Sequence, residues 1–240
     1  MFWLRVAAIG SVLAFLEWRR QRKHKLAEPA VGPNTIEISP EPDEPIAFGY
    51  KSLWLAVRSG SSAEVAGALG LDAVQEANWR TGLEAATRGG LVFVSPPLGS
   101  WILVVGDSLP QLGEPGAEEQ HQMLMAKLST RFGEAYFFGT HRVVEYHAWA
   151  RYAAGKAVRA YAYSGESGEV LTDEGKPSSE EQRAGMIFTE RRLEAGEVPD
   201  EESVLTIASQ WSIDPREVGS LAARPSAGLV GSLRPAAALP

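Results

Sequence analysis

The stretch AYFFGTHRVVEYHAWARYAAGKAVRAYAY (135–163) decides the fold. Its aromatic and β-branched residues fall in runs of strand length broken by short turn signals. Residues 135–138, 142–152 and 157–163 read as consecutive antiparallel strands. Gly139-Thr140 and Ala154-Gly155-Lys156 supply the turns. Connections this short join antiparallel neighbours, because a parallel crossover needs a dozen residues or more. A fourth short run, 169–172, follows Gly165-Glu166-Ser167-Gly168.

Working outward, 50–57 (YKSLWLAV) reads as a strand with Leu53, Leu55 and Val57 on one face. Ser62 then caps a helix whose apolar stripe is Val65, Ala68 and Leu69. A second helix starts after Asn78, carries Trp79, Leu83 and Ala86 inward, and ends at Gly89-Gly90. Residues 91–94 and 101–105 form a hairpin around a Pro/Gly connection. Both runs are nearly continuous in apolar residues, so both faces should be covered. After an acidic loop at 107–117, a helix over 120–132 turns Met123, Leu124, Leu128 and Phe132 inward. A last helix over 200–210, behind Pro199, turns Val204, Ile207, Ala208 and Trp211 inward. Helices and strands are segregated rather than alternating. This predicts one α+β domain over 46–218, with a largely antiparallel sheet flanked by helices.

Two flanks read differently. Residues 26–45 hold five Pro and five acids, the composition of a stiff linker. Residues 219–240 are dominated by Ala, Gly, Pro, Leu and Ser and read as a flexible tail.

The N-terminus predicts location. Residues 1–18 carry an apolar run, Phe2 to Leu16, bounded by Phe2, Trp3 and Trp18 as interfacial aromatics. A basic collar follows: Arg19, Arg20, Arg22, Lys23 and Lys25. A cleaved signal peptide would put its charge before the apolar run and small residues after it; the order here is reversed. As a helix, residues 1–18 span about 27 Å, just enough for a short anchor. The alternative is a helix lying in the membrane interface. For a spanning anchor, the collar places the body on the cytoplasmic side of a bacterial inner membrane.

Charge narrows the partners. Residues 1–25 hold six Lys or Arg against one Glu, a net of +5, so the rest of a chain of −7 carries −12. An acidic body lacks the basic face that nonspecific nucleic-acid binding needs. The collar suits anionic lipid headgroups. With no Cys, thiolate metal sites and a Cys nucleophile are excluded. No residue pattern calls for a cofactor or a metal.

Several stretches resemble a loosely defined group of uncharacterised bacterial proteins: FGYKSLWLAVRS (48–59), ANWRTGLEAA (77–86), VFVSPPLGSWILVVG (92–106), THRVVEYHAWA (140–150), RAYAYSGESGEVLTDEG (159–175) and IASQWSIDP (207–215). The resemblance covers 48–215 and implies no activity and no catalytic residue. Members near secreted toxin systems make an immunity protein, which neutralises a toxin, the partner role it implies.

Three constellations could carry function. Alternation along 141–151 puts His141, Val143, Glu145, His147, Trp149 and Arg151 on one face, with Glu145 and His147 about 7 Å apart. Those two could share a proton or substrate, with Arg159 or Arg151 stabilising negative charge, as in a hydrolase. The same residues also suit a half-exposed sheet face with cross-strand pairs such as Glu145 with Arg159. Trp101, behind Pro96 and Pro97, could anchor a protein partner, or pack in the core behind a plain hairpin connection. The acids of 166–174 and 194–202 could steer a basic partner, or be solvated surface. Without a GxSxG, HExxH or P-loop pattern, the expected role is protein binding by a membrane-tethered domain.

Overall fold

Among the described residues the chain forms nine strands and six helices. The computed structural model describes residues 36–189, 198–221 and 224–234, so the anchor at 1–18 and the collar at 19–25 lie outside the described residues. In chain order the elements are β1 (Leu53–Arg58), α1 (Ser62–Leu69), β2 (Leu71–Ala77), α2 (Trp79–Arg88), β3 (Val92–Val94), β4 (Trp101–Val105) and α3 (Glu118–Phe132). Then come β5 (Glu134–His141), β6 (Tyr146–Ala153), β7 (Lys156–Ser164), β8 (Glu169–Glu174), α4 (Ser179–Arg183), α5 (Glu201–Trp211), α6 (Val218–Leu221) and β9 (Gly228–Leu233).

The strands form one antiparallel sheet in the order β2-β9-β3-β4-β1-β5-β6-β7-β8. The α+β class and the antiparallel sheet are as the sequence predicts. Both faces are covered. Leu53, Leu55 and Val57 join the core beneath α1 and α3, while Trp54 and Ala56, alternating with them, join the core beneath α2 and α5. The second core is aromatic. Trp54 stacks on Phe138 at 5.3 Å, and Trp149 on Tyr161 at 4.7 Å. The first core is lined by small side chains over β6 and β7: Ala148, Ala150, Ala160 and Ala162. Small side chains leave room for the segment after β4 to lie on the sheet. Leu109 and Leu112 are buried there, and Tyr146 donates its hydroxyl to the Leu112 carbonyl at 2.9 Å.

Helix starts obey their caps. Ser61, one residue before the expected Ser62, accepts from Glu64 N; Asn78 accepts from Thr81 N; Asp200 accepts from Ser203 N. In α3 the inward face is His121, Met125, Leu128 and Ser129, and Met123, expected inward, is exposed.

Three readings are corrected. Gly139-Thr140 is not a turn but the interior of β5. A side chain at Gly139 would strike Leu53 and Tyr146, so glycine serves packing there. The turn is 142–145 instead, with Glu145 in the left-handed region at φ +46. The expected tail contains β9, which pairs with β2 on one side and β3 on the other. A Cβ at Gly228 would meet the Val94 carbonyl, so the glycine that made the segment look tail-like is what lets the strands approach. The second half of the expected linker packs on the body. Ile36 and Ile38 contact the aromatic core, and Asp43 accepts from Trp79 N at 2.7 Å and Arg80 N at 3.1 Å, at the start of α2. β2, exposed along most of its length, is a further strand of which the sequence pattern gives no sign.

Candidate functional site

The alternation that would align Glu145 with His147 is broken where β6 begins, at Tyr146. Glu145 closes the 142–145 turn. Its carbonyl accepts from Gly165 N at 3.0 Å, and its carboxylate lies against Gly165. His147 is buried on β6, and the carboxylates acting on it are Asp200 and Glu201 at the start of α5. Thr140 Oγ1 donates to Glu201 Oε1 at 3.3 Å. A threonine hydroxyl has one proton, so at the 3.4 Å contact with His147 Nδ1 the ring nitrogen is the donor. Arg142 Nε closes the set on Glu201 Oε2 at 3.3 Å. Burial pushes His147 down to about 4, and the two carboxylates oppose that only in part. The imidazole is therefore neutral at pH 7. The chain His147–Thr140–Glu201 could orient a base, though its hydrogen bonds are long. The sequence places Glu201 among the acids of 194–202, but nothing in it beyond an acid in the first turn of a helix points to Thr140 or His147.

Arg159 stands elsewhere. Its register partner on β6 is Arg151, not Glu145. Each arginine has its own acid: Arg151 pairs with Glu134, and Arg159 with Glu181 and Asp173. Arg159 Nε lies 2.9 Å from Glu181 Oε1, and the side chains are 2% and 0% exposed, so water has no part in this pair. Glu181 also accepts from Trp149 Nε1 at 2.9 Å and from Ser178 N at 2.7 Å, completing a capping box at α4. Arg159 further donates to the carbonyls of Glu174 and Gly175. These hydrogen bonds fix α4 and the end of β8 to the sheet.

Trp101 begins β4 and is buried. The Arg58 guanidinium sits 4.1 Å over its ring, and Tyr136 packs edge-on at 5.7 Å. Pro96 is buried too, and Pro97 is exposed. The indole anchors the hairpin within the fold.

The two acidic clusters differ. Of the 194–202 group, Glu194 and Glu197 lie outside the described residues. Asp200 caps α5, Glu201 is held as above, and Glu202 binds Arg216 and the Tyr50 hydroxyl. The 166–174 group lies on and before β8, the terminal strand of the sheet. Glu169, Asp173 and Glu174 are exposed there, with Val170 and Leu171 half-buried between them. Burial raises the Glu166 carboxyl above its usual range. Lys176 is the one base in 165–178, against four acids.

Among the described residues no group of His, Cys, Asp and Glu is placed to hold a metal ion, and no helix is long and apolar enough to cross a membrane. No family model matches the chain, and neither a curated protein nor a solved structure matches it.

Proposed function

We propose that the domain binds a protein and performs no chemistry, and that it is tethered to the cytoplasmic face of a bacterial inner membrane through residues 1–25. The observation that carries the binding role is β8: a terminal strand on which the acidic residues Glu169, Asp173 and Glu174 are exposed around two half-buried apolar residues, with Asp173 also ion-paired to Arg159. The buried pairing of Arg159 with Glu181, the capping role of Asp200 and the surface ion pair of Glu202 with Arg216 support it, because these charges serve the fold. The apolar run and basic collar support the tether. The resemblance to proteins near secreted toxin systems supports a toxin as the partner, which makes the domain an immunity protein.

The test is photo-cross-linking in membranes, with a benzophenone side chain replacing Leu171 in the full chain. A discrete protein adduct from this position, and none from Met123 on the exposed side of α3, is the expected result. No adduct from 171, or the same adducts from both positions, contradicts it.

A second reading keeps an enzyme in view, because His147, Thr140 and Glu201 form a hydrogen-bonded chain. It requires hydrolytic activity that is lost in both His147→Gln and Glu201→Gln.

A further inference from the structure

The two edges of the sheet are guarded unequally. At β2 the ladder is interrupted by a register shift between Asp72 and Gln75 and by Ala73 in the left-handed region at φ +51. Arg234 clamps Asp72 with two hydrogen bonds of 2.8 Å. Bulges and kinks of this kind stop another strand from adding to an edge. β8 carries one bulge too, with Leu171 as the extra residue opposite the Ala162–Tyr163 step, but it has neither a left-handed residue nor an arginine clamp like those of β2. No strand covers its outer side among the described residues. Among the described residues its guards are that one bulge and the charge of its carboxylates.

That charge discriminates by sign. Two copies of β8 laid side by side would bring Glu169, Asp173 and Glu174 against their own kind, and like charges opposite each other oppose pairing. An extended segment carrying Lys or Arg would meet the same carboxylates favourably. Asp173 is already bound to Arg159, while Glu174 makes no ion pair with any described residue. Val170 packs toward the aromatic core and Leu171 toward the other, so a strand added here would find one apolar contact on each face.

We propose that the outer edge of β8 takes an extended, basic segment of the partner protein as a tenth strand. Backbone hydrogen bonds would supply the pairing, and alternate Lys or Arg side chains the selectivity. This rests on the protein-binding reading and specifies how the partner is held.

The experiment uses the full chain in detergent and a short synthetic peptide alternating lysine with valine. Binding is followed by calorimetry and by hydrogen exchange of the backbone amides. The expected result is slowed exchange confined to β8, and affinity weakened about tenfold or more in Glu169→Lys/Glu174→Lys but not in Glu76→Lys on β2. A peptide N-methylated at every residue keeps its charge but cannot pair as a strand, and it should lose binding. Circular dichroism confirms that each variant is folded, and Glu169→Gln/Glu174→Gln gives a milder form of the same test. Equal binding by the N-methylated peptide, or slowed exchange away from β8, overturns edge pairing. If Leu171 still cross-links a partner in that case, protein binding stands and only the strand-addition mode falls.

Discussion

Trp149 and Glu181 lie 32 residues apart and meet at 2.9 Å, the indole N–H donating to a carboxylate that also holds Arg159. One buried acid thus ties together β6, β7 and the start of α4. Substituting Glu181 by Ala should destabilise the domain by about 3–5 kcal/mol, since it leaves a buried guanidinium short of its partner. Arg159→Met/Glu181→Leu should recover much of that loss, because replacing both charges removes the unpaired one. Urea denaturation of the three proteins decides; additive losses would contradict the coupling.

Acid should weaken the fold through its buried histidines. His147 is held down at about 4 by burial, and His121, wedged between Phe137 and Tyr152 with Nδ1 donating to the Pro110 carbonyl, is also lowered by burial. A folded-state value below the ordinary 6.5 means that the unfolded chain takes up the proton first. Stability is therefore whole above pH 6.5 and falls as the pH drops from 6.5 to about 4. His147 accounts for at most about 3 kcal/mol of this loss. Melting temperatures across that range should fall less steeply for His147→Gln than for the parent chain.

Gly82 sits in the middle of α2, where helix propensity alone favours Ala by about 1 kcal/mol. A Cβ there would run into the Phe93 ring on β3. Overpacking a core costs about 1–3 kcal/mol, so Gly82→Ala should be destabilising despite the better helix former. A higher melting temperature in the variant would show that Phe93 can move aside.

Removing residues 224–240 should abolish folding. The deletion takes β9 from between β2 and β3 and exposes the edges of both. A truncated chain that kept a cooperative thermal transition would contradict this register.

The elements that were legible in the sequence are those whose local chemistry agrees with their place in the fold. The apolar runs of β1, β3 and β4 are covered on both faces, and Asn78 and Pro199 announce their helices directly. Elements set by distant neighbours were not legible. β9 is GLVGSL, a strand whose glycines are there because Val94 and Asp72 lie against them, and without those neighbours it reads as tail. β2 has its interior side chains in solvent and gives little alternation to detect. The turn at 142–145 contains neither Gly nor Pro, so the strand seemed to run through it and to carry Glu145 into line with His147. Arg159 and Glu181 meet through tertiary packing across 22 residues, and no spacing rule predicts that. The acids of 166–174 were visible as composition, but their place on and before the terminal strand of the sheet was not.

Deleting residues 1–25 should move the protein from the membrane to the soluble fraction and leave the body folded, because contacts to the body begin at Ile36 among the described residues. Alkaline carbonate separates the two membrane-bound forms: a spanning anchor stays in the pellet, and an interfacial helix is released. Full-length protein in the soluble fraction of an untreated lysate would contradict both.

The central claim is that β8 is the partner-binding surface. Its most direct test is a calorimetric titration of the partner captured by cross-linking at Leu171 against the full chain. A one-to-one complex with the parent chain and with Glu76→Lys, weakened about tenfold or more by Glu169→Lys/Glu174→Lys, is the predicted result. A complex indifferent to the β8 carboxylates, or no complex at all, would contradict it.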